Sequence, residues 1–312
     1  MPELIEKLAV FAPAKVNLHL CAGDRRQDGF HSIESVFLAV DFGDTLYFER
    51  LSPANSVEIV MDRKNSPSLA DSALLIEENI IFKALSLFRE KTGFDMGLKI
   101  RVEKRIPIGG GLGGGSSDAA AALLALNKLA GNSLDRDTLL EMGARLGSDV
   151  SFFLCGSGAA WVSGRGEVIR PLKAPPLFLT LVNPGFPSDT ADAYRLLDEY
   201  REEERRRFTT EVHGVGTPSY TEEEGEKIMD LEPSAWPFYN DFLPIFKEPE
   251  KSVYQSIISR LKELGARFSG LSGSGSTCFG VFKEKEQAQK AAAALSGSYF
   301  AVNCSSLEAL SM

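Results

Sequence analysis

Residues 107–118 read PIGGGLGGGSSD, glycine at six of twelve positions, and run straight into AAAALLALNKLA. Glycine lets the backbone take positive φ and pass close to a ligand, at an entropic cost that a mere connector has no reason to bear. Ser or Asp ahead of an Ala/Leu-rich run is a helix N-cap signal, which here falls on Ser116, Ser117 and Asp118, and Gly131 after Ala130 is a stop. A glycine loop feeding a helix N-terminus offers free N–H groups and the positive end of the helix dipole, which together suit phosphate. The loop lacks the lysine of the G-x-x-x-x-G-K-[ST] pattern, and no acidic ribose partner in a βαβ setting supports a dinucleotide. A flexible linker is the competing account, and the strong helix that follows at once argues against it.

Bulk properties narrow the field. The chain has 312 residues, enough for one large domain or two lobes, and a net charge of −9 that argues against a nucleic-acid partner. An anionic substrate must then be held by a local site working against the global field. Cys21, Cys155, Cys278 and Cys304 are scattered without a C-x-x-C pair, which fits buried thiols in a reducing compartment. The opening residues, MPELIEKLAVFAPAK, do not have the pattern of a secretory signal, and no apolar run is long enough to span a membrane. The expected address is cytoplasmic, with no membrane partner; the oligomeric state stays open.

Along the chain, residues 8–22 read as two short strands broken at Pro13, with Lys15, Asn17 and His19 on one face and Val16, Leu18 and Leu20 on the other. Taken alone, that polar stripe reads as the solvated face of an antiparallel sheet. Strands follow at 33–51 and 57–61, then a helix from Asp71 to Gly93, a strand over 98–102, and a second helix from Asp135 to Gly147. A hairpin turns at Gly164-Arg165-Gly166. Ser188 or Thr190 is the expected cap of a helix through Tyr194 and Leu197. Residues 199–230 are dense in mixed charge and read as a solvated helix end plus a mobile excursion. The second half reads β-α-β-β-α-β, and the expected division is 1–170 and 171–312.

Three stretches now stand out: PAKVNL at 13–18, the glycine loop, and LSGSGST at 271–277. In that order they resemble the three motifs of the GHMP kinase superfamily, and the resemblance covers roughly residues 8–304. DGFHSIESVF, LGSDVSFFL, GRGE and NDF resemble the branch whose acceptor is a cytidine-diphosphate sugar alcohol of the non-mevalonate isoprenoid route. The resemblance implies an α+β GHMP kinase fold, with a ribosomal-S5-domain-2-like N-terminal lobe, a ferredoxin-like C-terminal lobe and the active site between them. It implies ATP-dependent phosphorylation of the 2-hydroxyl-bearing methylerythritol moiety, with Mg²⁺ accompanying the ATP. Mevalonate- or homoserine-type kinases and a non-catalytic ATP sensor on this fold are the alternatives.

Carried onto this chain, the resemblance makes Lys15 and Asp149 the catalytic pair. Pro107, Ile108, Gly109, Gly110, Gly111, Leu112, Gly113, Gly114, Gly115, Ser116 and Ser117 form the ATP phosphate loop. Apart from the resemblance, the hydroxyl of Ser117 or of Ser116 is open as a metal ligand through the ATP phosphates, Ser117 being the one singled out, and helix capping is the other role open to both. Asn17 contacts the acceptor, His31 hydrogen-bonds its base, and Phe30 and Tyr194 stack on it from opposite sides, with Thr190 nearby. Ser272, Gly273, Ser274 and Gly275 close the site. Three positions depart from the usual pattern: Phe30 where Tyr is commoner, Ser151 where Pro often stands, and Ser276 where Ala or Pro is usual. None removes a charge. His19 reads as a sheet residue, and His213 is assigned no role.

Overall fold

Two long antiparallel strands, β1 (Lys7–Arg25) and β2 (His31–Leu51), carry the first half of the chain. The computed structural model describes residues 7–63, 76–207 and 220–310. Contrary to the sequence reading, Pro13 does not end a strand. Pro13 pairs with Gly43 and Ala14 with Val40, so a register shift opens there and β1 continues. A bulge is where a sheet tolerates a residue that cannot donate to the ladder.

After β3 (Val57–Asp62) comes α1 (Ile80–Thr92), which starts later than the sequence pattern suggests; residues 71–75 of that reading lie outside the described residues. Its start is set by Asn79, whose side chain accepts from the Ile81 N–H at 2.9 Å, and its end by Gly93 at φ 72°. Then follow β4 (Gly97–Glu103), α2 (Gly114–Leu129), α3 (Arg136–Leu146), α4 (Val150–Leu154), β5 (Ala159–Ser163) and β6 (Val168–Pro171). The first sheet runs β3-β4-β2-β5-β6, with β1 on β2.

The second half supplies β7 (Phe178–Asn183), α5 (Thr190–Arg207), α6 (Glu222–Met229), α7 (Glu250–Glu263), β8 (Phe268–Leu271), β9 (Cys278–Phe282), α8 (Lys285–Leu295) and β10 (Phe300–Ser305). Its sheet order, β10-β7-β9-β8, gives the ferredoxin-like arrangement that the β-α-β-β-α-β reading implies. Period-two alternation builds the layers. Phe37 and Ala39 join a core with α1, α2 and α4, while Val36, Leu38 and Val40 face Leu179, Leu181, Phe279 and Val281 of the second sheet. α7 and α8 cover the far side through Ile257, Leu261, Ala288 and Leu295. The order is helices, sheet, sheet, helices, and each fully buried Leu- or Phe-sized side chain contributes roughly 1.5–3 kcal/mol.

Two further expectations change. Asp189, not Ser188 or Thr190, caps α5, accepting from the Asp192 N–H at 2.9 Å. The charged stretch 199–230 is largely regular structure. α5 continues to Arg207, and α6 opens with a capping box between Thr221 and Glu224. Ile228 and Met229 anchor α6 beside Trp236 and Phe238, apolar contacts hidden among the charges. Residues 208–219 of that reading lie outside the described residues.

Candidate active site

Lys15 and Asn17 are 4% and 1% exposed, so the stripe on β1 is a buried face, not a solvated one. The glycine loop covers it: Lys15 N–H donates to Leu112 O at 3.0 Å. The Lys15 ammonium donates to Asn17 Oδ1 at 2.6 Å, lies 3.3 Å from Asp149 Oδ2, and sits 4.3 Å above the Phe37 ring. Asn17 in turn donates to Ser35 Oγ at 2.9 Å. The Asn17 N–H donates to Ser272 Oγ at 3.2 Å, and the same hydroxyl donates to Gly111 O at 2.9 Å. The three motifs converge on one point.

His19 leaves the stripe. A register shift between Asn17 and His19 turns its ring into a cluster of Trp161, Tyr220, Phe238 and Tyr239. Burial pushes its imidazole down to about 4, partly offset by the bond from the Tyr239 backbone.

α2 begins earlier than its serines suggest. Gly113 is the N-cap at φ 70°, without a side-chain cap, so Ser116, Ser117 and Asp118 lie inside the first turns. A Cβ on Gly113 would meet Lys15 Cγ at 3.0 Å, and one on Gly111 would meet Ser272 O at 2.2 Å. These two glycines let the loop close onto the strand and the third motif together. The first-turn N–H groups of α2 have no intrahelical acceptor. Ser116 lines the cleft, whereas Ser117 is buried with its hydroxyl unpartnered, beside a separate small cavity. The metal role suggested for Ser117 therefore does not fit its placement; Ser116 is the serine in position.

Below the loop lies a group that the sequence reading missed. The Lys104 ammonium bridges the carboxylates of Asp44 and Asp118, all three buried, and Asp44 also accepts from Arg105 and Ile106 N–H at 2.5 and 2.9 Å. Burial drives the Asp118 carboxyl up to about 7, with Lys104 pulling it back and Asp44 adding to the rise. Burial opposes the Lys104 charge, yet its two carboxylate partners raise it. The available signal was a carboxylate at the head of an alanine-rich helix.

The acceptor side is assembled from distant segments around a cleft of about 1170 Å³. Phe30 is 54% exposed, with the Arg165 guanidinium 5.1 Å above its ring. His31 Nδ1 lies 2.9 Å from Gly23 O, and Nε2 lies 3.4 Å from Asp198 Oδ2. Tyr194 stacks on His31, ring centres 4.8 Å apart at 22°, and meets Phe242 edge-on. Phe30 and Tyr194 both line the cleft, and α5 lays Tyr194 over the His31 imidazole. Burial, with the Asp149 charge adding to it, pushes the Tyr194 phenol up to about 12.

Thr190 Oγ1 lies 3.0 Å from Ser274 Oγ, and Ser188 donates to Ser274 O at 2.6 Å, tying α5 to the third motif. Gly273 and Ser274 line the cleft; Gly275 packs instead against Tyr254, outside it. Ser272 acts through Gly111 and Asn17. Among the described residues, no cluster of three His, Cys, Asp or Glu side chains could hold a metal ion.

Fold and cleft together define a two-lobed small-molecule kinase, a phosphotransferase with an alcohol acceptor. The chain belongs to the GHMP kinase family: the model of the GHMP kinases N terminal domain matches residues 79–157 and that of the GHMP kinases C terminal matches 248–301. It is 38% identical over 294 residues to the 4-diphosphocytidyl-2-C-methyl-D-erythritol kinase of Thermodesulfovibrio yellowstonii, covering 89% of this chain and 90% of that protein. The Treponema pallidum protein of the same name is 38% identical over 296 residues, covering 92% and 94%. A crystal structure of 4-(cytidine 5'-diphospho)-2C-methyl-D-erythritol kinase superimposes with a TM-score of 0.75 at 31% identity, over 96% of this chain and 99% of that one. A homoserine kinase from Cytophaga hutchinsonii, 19% identical with a TM-score of 0.67, shares the fold.

Proposed function

We infer that this protein transfers the γ-phosphoryl group of ATP to the 2-hydroxyl-bearing methylerythritol moiety of 4-diphosphocytidyl-2-C-methyl-D-erythritol, in non-mevalonate isoprenoid precursor synthesis. Similarity to enzymes of that name over nearly the whole chain supports the substrate. The observation that carries the chemistry is the 3.3 Å approach of Lys15 and Asp149 at the mouth of the glycine-capped α2.

Phosphoryl transfer passes through a loose transition state, so the protein's work is positioning and charge stabilisation. In this reading the N–H groups of the 107–116 loop hold the phosphates and the dipole of α2 adds about 0.3–1 kcal/mol, or ~2 where partly buried. Lys15 neutralises the transferring group; a single preorganised donor of this kind is typically worth ~10²–10³ in rate. Asp149 orients the attacking hydroxyl and accepts its proton late, since a carboxylate is a weak base toward an alcohol. Asn17 lines the cleft and holds Lys15 in place through the 2.6 Å bond, its amide nitrogen anchored in turn on Ser35 Oγ.

Mg²⁺ fits the site as an ion carried by the triphosphate, because the protein offers few oxygen ligands there: the Ser116 hydroxyl and the Asp149 carboxylate. When bound, it would neutralise negative charge on the triphosphate. The buried thiols support the cytoplasmic reading, and we take the two sheets as the two lobes, divided near residue 171.

A coupled ADP-release assay tests the function. Turnover is expected with the cytidylyl acceptor and not with mevalonate or homoserine; the reverse pattern would move the protein to another branch of the family.

A further inference from the structure

We propose that Phe37 is a positioning residue for the transfer: the face of its ring holds the Lys15 ammonium beside Asp149 and competes for none of its hydrogens. The proposal rests on the kinase reading above and adds to it a side chain given no task there. Register puts the ring in place. Asn17 pairs with Phe37 and Lys15 with Ala39 across β1 and β2, so Lys15 and Phe37 are diagonal neighbours on one face. Such neighbours stand roughly 7–8 Å apart, within reach of a long side chain. The Lys15 Nζ accordingly lies 4.3 Å from the ring centre. An aromatic face attracts a cation through its quadrupole, more strongly where water is excluded, and both residues are buried.

The ring does what an oxygen could not. An ammonium has three hydrogens. Asn17 Oδ1 takes one at 2.6 Å, and the Asp149 carboxylate, 3.3 Å away, draws a second. The third is left for a phosphoryl oxygen in the cleft, which Lys15 lines. A carbonyl or carboxylate in the place of Phe37 would claim that hydrogen, and a carboxylate would cancel the charge as well. A plain aliphatic side chain would leave the buried ammonium short of a partner. The ring is fixed in its turn. It meets Phe152 edge to face, centres 5.3 Å apart at 79°, and Phe152 belongs to α4, the short helix that follows Asp149. One ring therefore touches both Lys15 and the element behind Asp149, and it sets how the pair approaches.

The test replaces Phe37 in the full chain by phenylalanine carrying one, two or three ring fluorines. Fluorine drains negative charge from the ring face while nearly keeping its shape, so the attraction weakens step by step. At saturating ATP and cytidylyl acceptor, kcat is expected to fall with each fluorine, by about 10- to 30-fold in total. Both KM values stay within about threefold, because Lys15 acts on the transferring group. Melting temperatures stay near wild type. The same series at Phe88, which is buried in the same core but outside the cleft, leaves kcat unchanged. A packing role answers to shape and not to ring charge. A kcat that stays flat along the Phe37 series therefore overturns the proposal, as does an equal fall at Phe88 or a fall that tracks a dropping melting temperature. Phe37→Leu, apolar but without a π face, is expected to lose kcat as the trifluorinated ring does, and wild-type turnover there overturns the proposal too. A wild type that phosphorylates neither the cytidylyl acceptor, mevalonate nor homoserine overturns the kinase reading and this proposal together; a flat series in an active wild type overturns this proposal alone.

Discussion

The donor and acceptor sides of the cleft are built in opposite ways. In the proposed reading the donor side is one unbroken stretch, 107–116, with the backbone as the recognition element; its side chains matter mainly where glycine must be glycine, as at Gly111 against Ser272 O. The wall proposed for the acceptor draws on the β1–β2 turn, the β5–β6 turn and α5, and it presents side chains to the cleft. A backbone cradle suits a group that is always the same, such as a phosphate tail. A side-chain cradle suits a group by which relatives differ, because single substitutions retune it without moving the loop. Ser272 joins the two, bonded to Gly111 on one side and Asn17 on the other.

The largest expected effect breaks the donor side from beneath. Lys104→Met leaves the carboxylates of Asp44 and Asp118 buried without their cation, which costs about 3–5 kcal/mol. Urea unfolding monitors it, and a midpoint equal to wild type would mean that the trio does not secure the loop. Next, Asp149→Asn keeps ATP binding and lowers kcat at least ~10²-fold. Turnover near normal would release Asp149 from its role.

His19 sharpens the comparison from outside the cleft, since it shares a strand with Lys15 but not a task. Its folded value, about 4, lies below the 6.5 of an exposed ring. Its neutral form therefore contributes fully above pH 6.5, and that contribution is lost as pH falls from 6.5 toward 4, by about 2 kcal/mol at pH 5. Melting curves of wild type and His19→Phe between pH 7 and 5 check this, the wild type falling more. The smallest effect is on the acceptor side: Phe30→Ala raises the acceptor KM about tenfold, near the value of one aromatic contact, with ATP KM unchanged. A change confined to the ATP KM would place Phe30 on the donor side.

Much of the donor side was legible beforehand, because a glycine tract and an alanine-rich run state their backbone conformations locally. Lys15 and Asn17 were legible as a shared face by alternation, but not as buried, since burial depended on a loop almost a hundred residues away. The trio of Lys104, Asp44 and Asp118 escaped notice because its members sit on β2, just past the end of β4 and on α2, with no common motif. The helix carrying Tyr194 was legible too, but its cap, Asp189, and the contacts that Asp198 and Arg201 make with β1 and β2 were not, because they join segments far apart in sequence.

By itself the sequence determined the glycine-rich turn, the helix behind it, the period of the strands and, through its motifs, the family. Those features depend on short-range geometry, where residue type and spacing act directly on the backbone. Only the tertiary structure decided that Ser116 and not Ser117 faces the cleft, that His19 turns into the core, and that His31 lies between Tyr194 and Asp198. Each of these follows from a register shift, a helix start or a packing contact, and such choices are set by the combined energy of elements remote in sequence.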